Sequence, residues 1–424
     1  MNHIVAPENC AGCALCANLC PKDAITMVWN KYGFLEPEVN TEACINCGMC
    51  LRQCPALEES EQAEKAENHP IAYGAWMKDE DILQQSSSGG IFTALARSVL
   101  NEGGIIFGVV WQTPDTAVFT SAETEEELAA MRGSKYVPAI VGKIYRQVKH
   151  ELKKKRKVLF TGTPCQVYAL KKYLKTIPEN LLTVDIVCHG TPSRLILQKY
   201  IQESELKQND KVVRVRMREK PEGWDPGLSH IALYFENGSR VSHRSNADSF
   251  MQLFLSDTML NTSCYRCPHR TTSRPGDISI CDYWGVANYH PDWPLAQGIS
   301  GVLVNSERGA EAVESIKEQL IIHPTKSQHI MNRQCPEVLP YPVNRELIFN
   351  TLRNGSLKDT KLIACHTKAK RLEREINKMR RKQMRYYLLS FILFGKAKTK
   401  YREKRKKILQ RMANTQIRLD ALKN

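Results

Sequence analysis

A chain of 424 residues with 42% hydrophobic side chains has room for two or three domains, each with its own core. Its 60 Lys/Arg and 45 Asp/Glu are unevenly spread: 20 and 4 of them fall in residues 366–424, leaving a balanced 40 and 41 elsewhere. A neutral body carrying a basic tail argues against nucleic-acid binding, which calls for basic residues interleaved with aromatics on a folded surface.

The N-terminus has neither the basic nor the apolar region of a signal peptide, and no apolar run reaches the roughly 18–20 residues that span a bilayer. The expected location is the cytoplasm, where 15 cysteines imply metal ligation and not a disulfide framework.

Eight of those cysteines lie in the first 54 residues, as Cys10-x2-Cys13-x2-Cys16-x3-Cys20-Pro21 and Cys44-x2-Cys47-x2-Cys50-x3-Cys54-Pro55. Each CxxCxxC turn offers three thiolates to one point, and in two-cluster ferredoxins the fourth cysteine serves the other cluster. Cys10, Cys13, Cys16 and Cys54 are therefore expected to hold one [4Fe-4S] cluster, and Cys20, Cys44, Cys47 and Cys50 a second. Zinc sites usually pair CxxC units over longer separations. Between the runs, 24–29 and 34–39 read as a hairpin. The acidic stretch 58–68 reads as a linker or exposed helix.

From Ile71 to about Ile330 strand and helix signals alternate, the mark of an α/β arrangement. Expected strands are 105–111, 158–160, 182–187, 212–217, 231–235 and 301–305. Expected helices are 91–101, 125–131, 142–153, 166–174 and 194–203. The first motif here, Ser86 to Gly90, opens a helix with small residues that leave backbone N–H groups for an anion, although a plain N-cap reads alike. Arg132-Gly133-Ser134-Lys135-Tyr136 fits a pyrophosphate clamp or a ring stack, and equally an ordinary surface turn. Thr161-Gly162-Thr163-Pro164-Cys165-Gln166 and Val187-Cys188-His189-Gly190 each follow a strand. If those strands are parallel neighbours, Cys165 and Cys188 emerge at the carboxyl edge, where open α/β sheets bind ligands. Cys264-x2-Cys267 brings the candidate thiolates to four, the number for a third [4Fe-4S] cluster. A structural zinc plus two buried free cysteines is the plainer alternative.

Taken together, Ser87-Ser88-Gly89-Gly90, Gly133-Ser134-Lys135-Tyr136, Gly162-Thr163-Pro164-Cys165-Gln166, Cys188-His189-Gly190, Cys264-x2-Cys267 and Asp277-Ile278-Ser279-x2-Asp282-Tyr283-Trp284-Gly285 resemble the beta subunit family of deazaflavin (coenzyme F-420) hydrogenases and dehydrogenases. The resemblance runs from about residue 5 to 335, with the motifs in the family's order. It implies an FAD-binding α/β domain with its own [4Fe-4S] cluster on Cys165, Cys188, Cys264 and Cys267, and it sets the Ser-Ser-Gly-Gly and Gly-Ser-Lys-Tyr segments near the flavin. Lys135 and the 161–163 loop are the candidates for FAD contacts, and His189 and Asp282 for proton handling. Cys281 stands where the family has glycine. Relatives act on quite different acceptors, so the resemblance fixes cofactors better than substrate.

The expected fold class is α+β: a bacterial-type 2[4Fe-4S] ferredoxin fold (1–57), a linker (58–70), an α/β flavin-binding domain with a mixed sheet (71–150 and 151–340), then a linker and basic helical tail (341–424). The tail reads as two helices broken near Gly395. Its second helix carries a short coiled-coil stripe, Ile408, Met412, Thr415, Leu419 and Leu422. The apolar run 386–394, flanked by cations, suits attachment to a membrane surface or a partner protein, or folding back on the body. The leading functional expectation is a flavin iron–sulfur oxidoreductase serving a redox partner protein or a small-molecule donor or acceptor. The alternative is a non-catalytic electron-transfer subunit without flavin.

Overall fold

The computed structural model describes residues 4–58, 70–225, 227–331, 339–392 and 395–423. Residues 59–69 of the predicted linker 58–70 and the side chains of the apolar run beyond Tyr386 lie outside the described residues, as does the side chain of Leu422. Contacts divide the chain into two compact units: Met1–Met251 with Leu260–Pro340, and Gln252–Met259 with Tyr341–Asn424.

Among the described residues, three sheets form in the first unit. β1 (Ile25–Trp29) and β2 (Leu35–Val39) make an antiparallel hairpin closed by Asn30, whose side-chain oxygen accepts from the Tyr32 and Phe34 amides. The main sheet is built from β3 (Ile71–Met77), β4 (Ile105–Thr113), β5 (Thr116–Ala122), β6 (Ala139–Ile140), β7 (Val158–Gly162) and β8 (Leu181–Ile186). β12 (Ile278–Asp282), β13 (Ser300–Val304) and β14 (Leu320–Thr325) complete it, in the order β14-β3-β13-β12-β8-β7-β4-β5-β6. The third sheet is antiparallel, β11 (Arg240–Arg244), β10 (His230–Phe235), β9 (Val212–Glu219).

The main sheet is mixed, as expected. β4, β7, β8 and β12 run parallel in succession, while β13 is antiparallel to both β12 and β3. The carboxyl ends of β3, β12, β8, β7 and β4 therefore share one edge. Val158, Leu159, Phe160, Leu181 and Val184 are almost wholly buried, since helices cover both faces of a parallel sheet.

One sharp internal constraint orders the middle of the sheet. Asp185 of β8, buried, accepts from the Gly276 amide at 2.8 Å, from Ser279 Oγ at 3.1 Å and from Arg274 Nε at 3.0 Å. Arg274 is itself buried, so each charge answers the other where water cannot. This pair fixes the chain leading into β12 against the end of β8.

The ferredoxin segment does not stand apart from the sheet. Ala14, Leu15 and Leu19 sit in one apolar cluster with Phe107, Phe160 and Tyr145. Leu15 is 1% exposed, so its burial contributes about 1.5–3 kcal/mol to holding the two parts together. Polar clamps surround that contact: Arg146 donates from Nε to the Asn18 carbonyl at 2.8 Å, and Lys143 Nζ donates to the Ala17 carbonyl at 2.8 Å. Asp23 pairs with both cations, at 2.7 and 2.8 Å. On another side, Ser193 Oγ donates to the Tyr32 carbonyl at 2.6 Å and Arg194 lies over the Trp29 ring.

In the second unit, the helices Leu357–Ile392 and Gly395–Lys423 pack together, Leu372 and Ile376 meeting Leu419. Of the predicted stripe, Ile408, Thr415 and Leu419 are buried. Lys368 and Arg371 converge on Asp257 at 3.1 and 3.0 Å. No helix among the described residues is long and apolar enough to cross a membrane.

Candidate functional site

The two CxxCxxC loops repeat one backbone shape. Gly12 and Asn46, each two residues after the first cysteine, are left-handed (φ 67° and 52°), and so are Ala14 and Gly48, two residues further on (φ 58° and 70°). Alternating handedness turns successive amide N–H groups inward, the form of an anion nest. Amides of Gly12, Leu15 and Ala17 accordingly point at the sulfurs of Cys10, Cys13 and Cys16. Ala14 holds this conformation despite its Cβ, a strain the surrounding packing sustains.

The sulfurs of the two runs influence one another. Burial pushes the Cys10 thiol up to about 11 and Cys16 up to about 12, and raises Cys13 as well. Cys54 adds to the rise at each of the three, which sets Cys10, Cys13, Cys16 and Cys54 together. Cys50 is raised by burial and by Cys47 and Cys44, and it packs in one apolar cluster with Cys20. Cys16 borders the same cluster.

A third group stands at the shared carboxyl edge. β7 and β8 are parallel neighbours, and Cys165 and Cys188 follow them. Cys264 and Cys267 arrive on the short turn Thr262–Arg266 and its C-cap. Burial raises the Cys165 and Cys188 thiols, and Cys264 and Cys267 raise both further. Cys264 Sγ accepts from the Thr191 amide at 3.4 Å, and Thr163 Oγ1 is 3.2 Å from Cys165 Sγ. Four thiols from three distant segments therefore meet. Among the described residues no three His, Cys, Asp or Glu side chains converge as ligands of a single ion.

Cys281 has a different setting. It pairs with Gly301 across β12 and β13, its Sγ 3.7 Å from the Gly301 carbonyl, and it packs beside Trp284 and Val187.

The remaining motifs also come together. Ser87 Oγ accepts from the Ser134 amide at 2.8 Å, joining the Ser-Ser-Gly-Gly and Gly-Ser-Lys-Tyr loops. Ser88 Oγ donates to the Ile299 carbonyl, and the Gly89 amide donates to Ser300 Oγ, both at 2.9 Å. A Cβ on Gly89 would lie 2.3 Å from the Ala75 carbonyl oxygen, so only glycine fits there. The helix Ile91–Asn101 starts from Gly90 (φ 81°) with no side-chain cap, since the serines are engaged elsewhere.

Lys135 spends its Nζ on the carbonyls of Met131, Arg132 and Gly133 at 3.0, 3.1 and 3.1 Å, and burial with Arg216 nearby brings it down to about 7. In this arrangement it closes the end of the helix Glu125–Met131 and so shapes Tyr136's loop. Gln166 Oε1 likewise accepts from the Thr163 amide at 2.8 Å, capping its own helix. The carbonyl of His189 accepts from Arg270 Nη2.

Asp282 is tied on both oxygens: Oδ1 accepts from Trp224 Nε1 at 2.9 Å and Oδ2 faces Arg218 Nη1 at 3.4 Å. Trp224 in turn stacks on Trp284 at 4.7 Å between centroids. Sequence reasoning missed Arg218, Lys220 and Trp224, which come from the end of β9 and the loop after it. Lys220, buried, donates to the carbonyls of Leu83, Ser88 and Gln297, binding β9 to the serine–glycine loop. Alternating cations in 214–220 were the available signal.

Two buried polar positions test whether a flavin suits this region. Thr161 Oγ1 and the Nε and Nη2 of Arg218 are buried and find no hydrogen-bond partner among the described residues. Such groups are costly to leave unmet. Donors of this kind beside a glycine loop and stacked indoles fit a phosphate- and ring-bearing cofactor.

The comparisons agree with this layout. Residues 72–145 match the model of the coenzyme F420 hydrogenase/dehydrogenase beta subunit N-terminus, 155–328 that of its C-terminus, and 9–57 a 4Fe-4S dicluster domain. An uncharacterized protein of Methanocaldococcus jannaschii is 23% identical over 196 residues, 40% of this chain and 54% of that one; the chain thus spans about half of that relative's length. An uncharacterized protein of Porphyra purpurea is 33% identical over 64 residues, 13% of this chain and 76% of that one. A chain in the F420-reducing [NiFe] hydrogenase complex from Methanosarcina barkeri is a looser likeness, with a TM-score of 0.42 at 20% identity, covering 70% of this chain and 91% of that one. The chain belongs to the coenzyme F420 hydrogenase/dehydrogenase beta subunit family, with a 4Fe-4S dicluster domain at its N-terminal side.

Proposed function

We propose that this subunit is a flavin iron–sulfur oxidoreductase, exchanging electron pairs with a small molecule at FAD and single electrons with a partner through three [4Fe-4S] clusters. The observation that carries the reading is the border between two cysteine quartets. Cys13 of the first quartet raises Cys165 of the third electrostatically, and the Tyr145 hydroxyl donates to the Cys13 carbonyl. The proposed relay runs from Cys165/Cys188/Cys264/Cys267 to Cys10/Cys13/Cys16/Cys54 and then to Cys20/Cys44/Cys47/Cys50. A relay needs such an order.

Bound FAD takes two electrons as a hydride and releases them one at a time. Around it, the 87–90 and 133–136 loops are candidates to bind and orient the cofactor, with Thr161 as a hydroxyl contact. Asp282, fixed by Trp224 and Arg218, is a charge-paired carboxylate at the edge of that space. His189 lies on the Cys188 loop, where its carbonyl is held by Arg270. Burial disfavours the thiolate at Cys10, Cys13, Cys16, Cys50, Cys165, Cys188 and Cys264, so iron binding there releases protons.

The test is anaerobic purification with cofactor analysis, then a screen of deazaflavin, NAD(P)H and reduced ferredoxin as donors. Bound FAD reduced by one of them supports the reading. Iron–sulfur clusters without any flavin would leave a pure electron-transfer subunit in its place.

A further inference from the structure

The end of β9 carries Arg214, Arg216, Arg218 and then Lys220, every second residue cationic. Arg214 is exposed, Arg216 partly buried, and Arg218 and Lys220 buried, so positive charge runs inward from solvent. A register shift against β10 falls between Arg216 and Glu219. Bulges of this kind re-aim side chains beside functional sites.

The four cations are differently employed. Arg214 lies 3.8 Å over the Tyr234 ring, and Arg216 Nη2 is 3.5 Å from the Gln85 carbonyl beside the serine–glycine loop. Lys220 has three carbonyl acceptors. Arg218 differs. Its side chain is 4% exposed, its guanidinium lies 4.9 Å over Trp284, and only Nη1 faces Asp282. Burial opposes its charge, while Asp282 and Tyr136 sustain it.

The two unpartnered atoms, Nε and Nη2, are the side-on pair of the guanidinium, the fork that takes both oxygens of a carboxylate or phosphate at once. One carboxylate, Asp282, faces this cationic row through the opposite nitrogen.

We infer that Arg218 is the anchor of an anion-binding subsite for a phosphate or carboxylate group, between the Gly-Ser-Lys-Tyr loop and the Asp-Tyr-Trp-Gly turn, with Arg216 on its outer side. The inference extends the flavin reading, because the anion is either the cofactor's own phosphate or an acidic group on the second substrate.

The full chain, purified without oxygen and with its iron counted, is titrated calorimetrically with inorganic pyrophosphate, before and after saturation with FAD. Wild-type protein binds pyrophosphate, and Arg218→Met weakens it by about tenfold or more at unchanged iron content. Arg218→Lys, which keeps the charge and loses the fork, weakens it nearly as much. Loss of binding after FAD saturation identifies the cofactor's phosphates as the anion; persistence identifies the second substrate. Wild-type protein that binds no pyrophosphate, or variants that bind it equally well, overturn the proposal. Failure to take up FAD would defeat the flavin reading, while the pyrophosphate arm still decides the role of Arg218.

Discussion

The hydroxyl of Tyr145 donates to the carbonyl of Cys13 at 2.8 Å and also reaches the carbonyl of Gln166, next to Cys165, at 3.3 Å. One fully buried side chain thereby ties the first ferredoxin loop to the loop of the third quartet. Burial and the nearby cysteines raise its own ionisation well above the usual tyrosine value, so it remains a neutral donor. Tyr145→Phe removes that donor and leaves buried carbonyls unmet, at a cost of about 1–3 kcal/mol. Denaturant unfolding should show this loss while iron content stays that of the wild type; unchanged stability would mean the bond contributes nothing.

Cys165→Ser should remove about four irons and spare the ferredoxin clusters, each cubane needing its own four thiolates. Cys281→Ser is the control, since that thiol packs against Gly301 in the apolar cluster. Iron analysis of the two variants decides between them. A Cys281 variant that loses iron while the Cys165 variant keeps it would reverse the assignment.

Arg274→Met removes the ion-pair partner of the buried Asp185, whose carboxyl burial already pushes up. The expected loss is about 3–5 kcal/mol. Because Asp185 precedes Cys188 by three residues, iron at the third quartet should fall before iron at the ferredoxin loops. Thermal unfolding of the iron-loaded protein reads the first effect and iron analysis the second.

Asp115 tethers the helix Arg194–Gln208 to the β4–β5 turn, accepting from Arg194 Nη2 at 2.8 Å and Gln198 Nε2 at 2.9 Å. Burial works against its charge, but bonds from Thr113, Gln198, Arg194 and Thr116 outweigh this and hold it down to about 2, from 3.8. A lowered carboxyl stabilises the fold above its unfolded pKa, and that stability is lost as pH falls from 3.8 towards 2. Asp115→Asn should therefore cost about 1–2 kcal/mol at neutral pH. The gap to wild type should stay level from pH 7 to pH 5 in unfolding experiments. A gap that narrows within that range would contradict the account.

Much of the sheet was legible because its parallel strands are short apolar runs with glycine or proline after them. β7 and β8 with their cysteines are the clear example, and their parallel pairing puts Cys165 and Cys188 where the pattern predicts. β12 escaped detection as a strand because Ser279 sits in it, a polar residue directed to Asp185 within the core. β3 was hidden by Gly74, whose missing side chain makes room for Trp293. Arg218 was passed over for a related reason: arginines alternating along a strand read as a solvated face. Its burial depends on the register shift with β10 and on Trp284, neither of which local sequence announces. The roles of Lys135 and Gln166 were equally out of reach, since their acceptors and donors belong to tertiary geometry and helix ends.

The most direct test of the central claim is a metal and flavin count on protein purified without oxygen. Three cubanes predict about twelve irons per chain, with visible cluster absorbance and bound FAD. A colourless preparation carrying zinc, or thiols with no metal at all, would contradict it.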